Sequence, residues 1–146
     1  MSLSSTCYFN IIDEYQVSHN ITKFYCIDKQ LYHLPELPIS LKYLNCQINY
    51  LTILPSNLPY KLEILYCSNN YLSELPQLPL STQLLNCSNN YLTELPELPT
   101  EIIQFICFNN NIKYLSPHNL NIIRNLIENN KSININNNPF TYSLII

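Results

Sequence analysis

Apolar positions in this chain follow two rhythms in turn. From Leu62, apolar residues fall at Leu62, Leu65 and Cys67, then after a polar interval at Leu72, Leu75 and Leu78. Leu65 and Cys67 lie two apart, the spacing that places both on one face of a short strand. The later leucines are interrupted by Pro76 and Pro79, which rules out a regular helix or a central strand there. The same order returns from Leu41 to Pro59 and from Thr82 to Pro99, with altered copies from Ile21 to Pro38 and from Ile102 to Leu115. Self-similarity at about 20 residues predicts a solenoid, in which each unit buries its apolar face against the next.

The cysteines set the register. Cys26, Cys46, Cys67, Cys87 and Cys107 recur at an even interval, with a single extra position between Cys46 and Cys67. That insertion lies within Pro55 to Pro59, where neighbouring units read Leu-Pro-x-Leu-Pro. Strands are expected over Tyr43–Cys46, Ile64–Cys67 and Leu84–Cys87 and around Phe105, stacked in parallel about 4.8 Å apart. Leu44, Leu65, Leu85, Phe105 and the cysteines then face inward. Tyr43, Ile64, Leu84 and Gln104 face outward, as do Asn45, Tyr66, Asn86 and Ile106. Three places after the column cysteines stand Asn49, Asn70, Asn90 and Asn110, and Asn138 follows Ile135 in the same way. An amide buried at each corner offers two donors and a carbonyl acceptor, enough to satisfy the backbone of its own unit and its neighbour. The Leu-Pro-x-Leu-Pro limb suits polyproline II backbone, with Leu34/Leu37, Leu75/Leu78 and Leu95/Leu98 closing the core. Proline-rich stretches can also be peptide ligands, but these prolines recur with leucines that the core requires.

The last unit differs. Ser116-Pro117 reads as a helix cap and first turn. Leu120, Ile123 and Ile127 follow at helical spacing, with Ile122 and Leu126 widening the stripe, and Asn129-Asn130 closes it. A strand is expected again around Ile133 to Ile135. The stretch from Cys107 to Ile135 exceeds the interval between cysteines by about two helical turns, room for a helical outer limb.

The motif LxxLxCxxNxLxxLPxLP, read across residues 21–140, resembles the leucine-rich repeat signature. Its short unit resembles the bacterial-effector subclass of YopM and IpaH proteins. The resemblance implies an α/β solenoid with a parallel β-sheet on the concave face, extended polyproline II convex limbs, and one helical limb in the last repeat. It also implies an asparagine ladder of Asn49, Asn70, Asn90, Asn110 and Asn138. The expected organisation is an N-terminal cap over residues 1–20, about six repeats over 21–140 and a tail over 141–146, all in a single structural domain. No counterpart of the ligase domain of IpaH-type effectors is expected. Three departures stand out: Cys for the third Leu, Lys29 for the first ladder Asn, and Thr82 where an apolar residue should open the unit. The last two suggest a frayed first repeat and a weaker seam at Thr82.

Composition narrows function mainly by exclusion. Of 146 residues 47% are hydrophobic, and Gly and Trp are absent. Without Gly there is no phosphate-cradling loop. The depletion of GC-rich codons suggests an AT-rich genome, such as that of a large DNA virus or a protist. A net charge of -3 offers no basic stripe to nucleic acid. No apolar run is long enough to cross a membrane, and the start lacks a secretory signal, so a cytoplasmic protein is expected. Cysteines one repeat apart would line up along a solenoid, whereas zinc needs ligands converging on a point. They read instead as buried thiols acting as small apolar groups, rather than disulfide partners or nucleophiles. No enzyme activity, metal, cofactor or small-molecule substrate is expected. Glu36, Glu74, Glu94 and Glu97 read as solubilising outer-limb charges.

The outward strand positions are less bland. Tyr25, Tyr43, Ile64, Tyr66, Leu84, Ile106 and Phe108 form the candidate partner-binding face, with Ile27 and Ile48 beyond the strands and Tyr50, Tyr71 and Tyr91 as a second row. Apolar and aromatic area on a surface marks interaction sites, although tyrosines stacked along an arc can also simply stiffen it. The expectation is a non-enzymatic module binding a protein partner, a host protein if the chain is viral. The alternative is a module that self-associates through an open end of the solenoid.

Overall fold

The computed structural model describes residues 21–140 and the backbone of one strand, Thr6–Tyr8. The strands are β1 (Thr6–Tyr8), β2 (Lys23–Tyr25), β3 (Tyr43–Asn45), β4 (Ile64–Tyr66), β5 (Leu84–Asn86), β6 (Gln104–Ile106) and β7 (Ser132–Asn134), with one helix, α1 (Pro117–Glu128), between β6 and β7. They form a single seven-stranded parallel sheet in chain order. Each strand is three residues long, so the cysteines sit one place beyond the strands expected to contain them. Their amides still continue the ladder: Cys46 N–H donates to the Tyr66 carbonyl and Cys67 N–H to that of Asn86, both at 2.8 Å.

The core is one column built from equivalent positions. Leu44, Leu65, Leu85 and Phe105 are fully buried, as are Cys26, Cys46, Cys67, Cys87 and Cys107. All five of these cysteines are free thiols. Between limb and strand the chain makes the same turn each time, with Leu41, Leu62, Thr82 and Ile102 N–H donating to the carbonyls of Pro38, Pro59, Pro79 and Pro99. At the ends of the column the expectations divide. The cap over residues 1–20 lies outside the described residues except for β1, whose backbone pairs with β2. That pairing sets Cys7 opposite Phe24, so Cys7 falls outside the cysteine column. The tail over 141–146 also lies outside the described residues.

One expected weakness is corrected. Thr82 is fully buried, and its hydroxyl donates to the Leu62 carbonyl at 3.1 Å, so the seam there is closed. The first repeat lacks its own ladder Asn; Phe24 and Cys26 are fully buried there, but Leu31, Leu34 and Leu37 are only partly buried. Asn49 of the next repeat accepts from Leu31 N–H, as each ladder Asn does from the repeat before it, and also from Lys29 N–H, both at 3.0 Å.

Helix α1 begins where expected. Ser116 caps it by accepting from Asn119 N–H, with Pro117 in the first turn. It ends with Asn130 at φ 50°, where Asn130 N–H donates to the Ile127 carbonyl and Lys131 N–H to that of Leu126, the paired bonds of a left-handed helix end. Its buried face is a correction to the expected stripe. Ile123 and Leu126 are buried, but Ile127 is 51% exposed and the third buried residue is Asn119. The Asn119 side chain accepts from Leu98 N–H at 2.8 Å and donates to the Pro96 carbonyl at 2.9 Å. One amide thus serves two of the backbone groups that the preceding proline limb presents to the helix, the Leu98 carbonyl being met by His118 Nε2 at 2.8 Å, and these bonds offset the desolvation of a buried polar side chain.

Candidate functional site

Strand pairing arranges the outward side chains in two columns. One runs Lys23, Tyr43, Ile64, Leu84, Gln104, Ser132; the other runs Tyr25, Asn45, Tyr66, Asn86, Ile106, Asn134. The predicted positions Tyr25, Tyr43, Ile64, Tyr66, Leu84 and Ile106 therefore share one face, with Phe108 two places beyond Ile106, and all seven are half-buried. They are not equivalent. Three tyrosines make a contiguous aromatic run: the Tyr25 and Tyr43 rings are 4.8 Å apart, and Tyr43 meets Tyr66 edge-on at 5.8 Å. Asn45, nominally outward, is buried among them, 3.5 Å from the Tyr43 hydroxyl. Burial in this run raises the Tyr43 and Tyr66 phenols above their ordinary value, and for Tyr66 the neighbouring Tyr43 adds to it. The run is an amphipathic surface of ring faces and hydroxyls, the kind that supplies contact area at low entropic cost.

The second tyrosine row lies past the corner and is more open. Tyr32 packs on Tyr50 at 5.3 Å, Tyr50 stacks on Tyr71 at 6.0 Å, and Tyr71 stacks on Tyr91 at 5.9 Å. Tyr32 lies outside the repeat frame of this row and joins it only through the fold, so periodicity missed it.

What holds both rows in register is the corner. Asn70 Nδ2 donates to the carbonyls of Cys46, Cys67 and Ser68 at 3.0, 3.1 and 3.3 Å, while its Oδ1 accepts from Leu51 N–H at 3.1 Å. Asn90, Asn110 and Asn138 repeat the pattern, and Asn49 begins it. All five amides are buried. The position just before each ladder residue is equally regular, yet sequence reasoning missed it. Ile48, Asn69, Asn89, Asn109 and Asn137 all have φ of 53–57°. The available signal was the doubled Asn-Asn, since Asn tolerates the left-handed region best after Gly, and this chain has no Gly. On the surface these residues form a row of their own, Asn137 donating to Asn109 at 2.6 Å and Asn109 to Asn89 at 2.7 Å.

Glu36, Glu74, Glu94 and Glu97 are exposed on the outer limbs. The thiols form a line through the core; Cys26 is pushed up to about 12 by burial, and Cys46, Cys67, Cys87 and Cys107 are also raised by it. Such thiols are poor nucleophiles. Among the described residues, no helix is long and apolar enough to cross a membrane.

A parallel-sheet solenoid whose repeats line up their side chains in columns along one face is a protein-interaction repeat fold. No protein-family model matches the chain and no curated protein does, but solved structures do. The leucine-rich repeat domain of a Shigella effector superposes with a TM-score of 0.67 at 37% identity, covering 69% of this chain and 46% of that one. YopM from Yersinia enterocolitica WA-314 gives 0.67 at 32% identity, covering 70% of this chain and 22% of its own. YopM from Yersinia pestis, a leucine-rich effector protein, gives 0.57 at 32% identity over 64% and 33% of the two chains. The chain is a leucine-rich repeat protein of the short-unit type that these bacterial effectors carry. It spans less than half the length of each of these structures.

Proposed function

We propose that this chain is a non-catalytic module that binds a protein partner through the concave face of its sheet, centred on Tyr43, Ile64 and Tyr66. The observation that carries the reading is the aromatic run Tyr25–Tyr43–Tyr66, a surface of rings and aliphatic side chains on a face that would need neither for the core. Ile64, Leu84 and Ile106 extend it, and Phe108 lies at its far end. The outer limbs carry Glu36, Glu74, Glu94 and Glu97 instead. Five buried thiols without a disulfide suit a reducing compartment such as the cytoplasm, and a net charge of -3 favours a protein over a nucleic acid.

The test is quantitative capture from host cytosol with wild type, Tyr66→Ala and Glu74→Ala as parallel baits. Tyr66→Ala should weaken binding of the captured partner at least about tenfold, equivalent to about 1.4 kcal/mol, while Glu74→Ala binds as wild type does. If Glu74→Ala loses the partner and Tyr66→Ala keeps it, the functional surface is the convex side and the concave reading is wrong.

A further inference from the structure

One corner of the solenoid breaks the rule that the others keep. Two places after each column cysteine, and after Ile135, the chain enters the left-handed region, at Asp28, Ile48, Asn69, Asn89, Asn109 and Asn137. Five of these are Asp or Asn, whose short polar side chains tolerate that backbone. Ile48 is β-branched, and at φ 57° such a residue is a true outlier. Burial does not compensate, because Ile48 is 51% exposed. It therefore carries backbone strain and displays apolar surface, with no return to the core. Strain held at an exposed position is a pointer to function.

The surroundings indicate what would make use of it. Ile48 lines a depression of about 300 Å³ together with Asp28, Gln30, Asn69, Tyr50 and Tyr71. Tyr50 and Tyr71 are stacked 6.0 Å apart at 20° and partly exposed. Asp28 is the one charged side chain in the lining. The chemistry is thus an aliphatic surface and aromatic rings beside a single carboxylate, with amides at the rim. An anion would meet only like charge. A purely apolar side chain would cover Asp28 without replacing its water, at a desolvation cost. A lysine or arginine fits each part: its methylene stem packs on Ile48, its cationic head reaches the Asp28 carboxylate, and the rings add cation–π attraction. The volume lies at the low end for ligand sites and suits one side chain better than a drug-sized molecule.

We propose that the Ile48 corner is a receptor site for one basic side chain, Lys or Arg, of a bound protein segment. This rests on the chain being a protein binder and names the chemistry of one anchor, at the N-terminal end of the face.

The experiment needs no partner, so its failure is separate from failure of the Tyr66 test. A blocked Gly-Arg-Gly peptide is titrated at millimolar concentration into isotope-labelled protein and followed by amide chemical shifts. Its neutral citrulline counterpart is the control. Saturable shifts are expected at Asp28, Ile48, Tyr50 and Tyr71, with binding weakened at least about tenfold for citrulline and for Asp28→Asn. Ile48→Asn should raise the melting temperature, because strain is relieved, and still weaken the peptide. That pairing of a more stable fold with a poorer site is the signature of functional strain. Shifts that are absent or centred elsewhere, or equal binding of citrulline, would overturn the proposal. So would a lower melting temperature for Ile48→Asn, which would make Ile48 a packing residue.

Discussion

The interior columns of this solenoid are nearly invariant from repeat to repeat, and the rows outside them are not. Cys occupies its inward position five times in succession, and the ladder Asn recurs five times at the corners, all buried. The outward strand position equivalent to Tyr43 is instead Lys, Tyr, Ile, Leu, Gln and Ser along the arc. The difference comes from hydrogen bonding and volume. A buried corner leaves carbonyls and amides that only an amide of fixed length can serve in both repeats, and a buried column admits one volume per layer. Outside, water satisfies whatever the protein does not. Repetition therefore marks structure, and departure from repetition marks where function could be written.

If that contrast holds, the largest response should come from the column that carries latent charge. Unfolded, the thiols ionise near 9.0, whereas folded Cys26 keeps its proton to about 12 and its four neighbours are raised too, all by burial. Above pH 9 the unfolded chain binds fewer protons than the native one, so stability falls as pH rises, and below pH 9 these groups have no effect. Each thiol removes about 1.4 kcal/mol per pH unit across its window. Five together draw on a typical margin of about 5–15 kcal/mol. Under reducing conditions the denaturant midpoint should fall as pH rises above 9, and replacing Cys67 and Cys87 by Ala should flatten that slope. A midpoint that stays level above pH 9 would mean that the column takes in water.

Asn70→Ala comes next. It removes one of two donors from each of the Cys46, Cys67 and Ser68 carbonyls and the acceptor of Leu51 N–H. The three carbonyls keep second donors in Asn49 Nδ2, Asn90 Nδ2 and Ile48 N–H, but the buried Leu51 N–H is left unsatisfied, so chemical denaturation should show a loss of about 1–3 kcal/mol. Asn110→Ala should cost as much, because its bonds repeat the same pattern. A large gap between the two would show that the ladder is not a chain of equal links.

The interior was legible in the sequence because it is periodic. The even recurrence of Cys told which leucines face inward, and each of the five ladder asparagines is where that frame put it. Besides Tyr32 and the left-handed position before each ladder residue, what escaped were polar residues whose role depends on a neighbour rather than on spacing. Asn119 sits on a helix that reads as apolar-faced, and only the proline limb across from it makes an amide right there and leaves Ile127 outside. Thr82 looked like a defect because its partner, the Leu62 carbonyl, lies one repeat away. The candidate face was legible as a set of outward residues, but its division into packed tyrosines and freer aliphatics depends on ring contacts between the two columns.

The smallest effect tests the contrast most finely, at the outer neighbour of a ladder residue. Asn137 is exposed, donates to Asn109 at 2.6 Å, and sits at φ 55°. The hydrogen bond alone would suggest a role like that of Asn138 beside it. In water, though, an exposed amide exchanges its partner for solvent at little net cost. The backbone matters more, since Ala in the left-handed region costs about 1 kcal/mol or somewhat more. Asn137→Ala should therefore destabilise by about 1 kcal/mol, less than Asn70→Ala. Asn137→Gly loses the same hydrogen bond but none of the conformational tolerance, so it should cost only a few tenths of a kcal/mol. Both are read from the shift in denaturant midpoint at constant slope. If Gly costs as much as Ala, the surface amide row through Asn89, Asn109 and Asn137 adds stability of its own, and the corner has two structural sides rather than one.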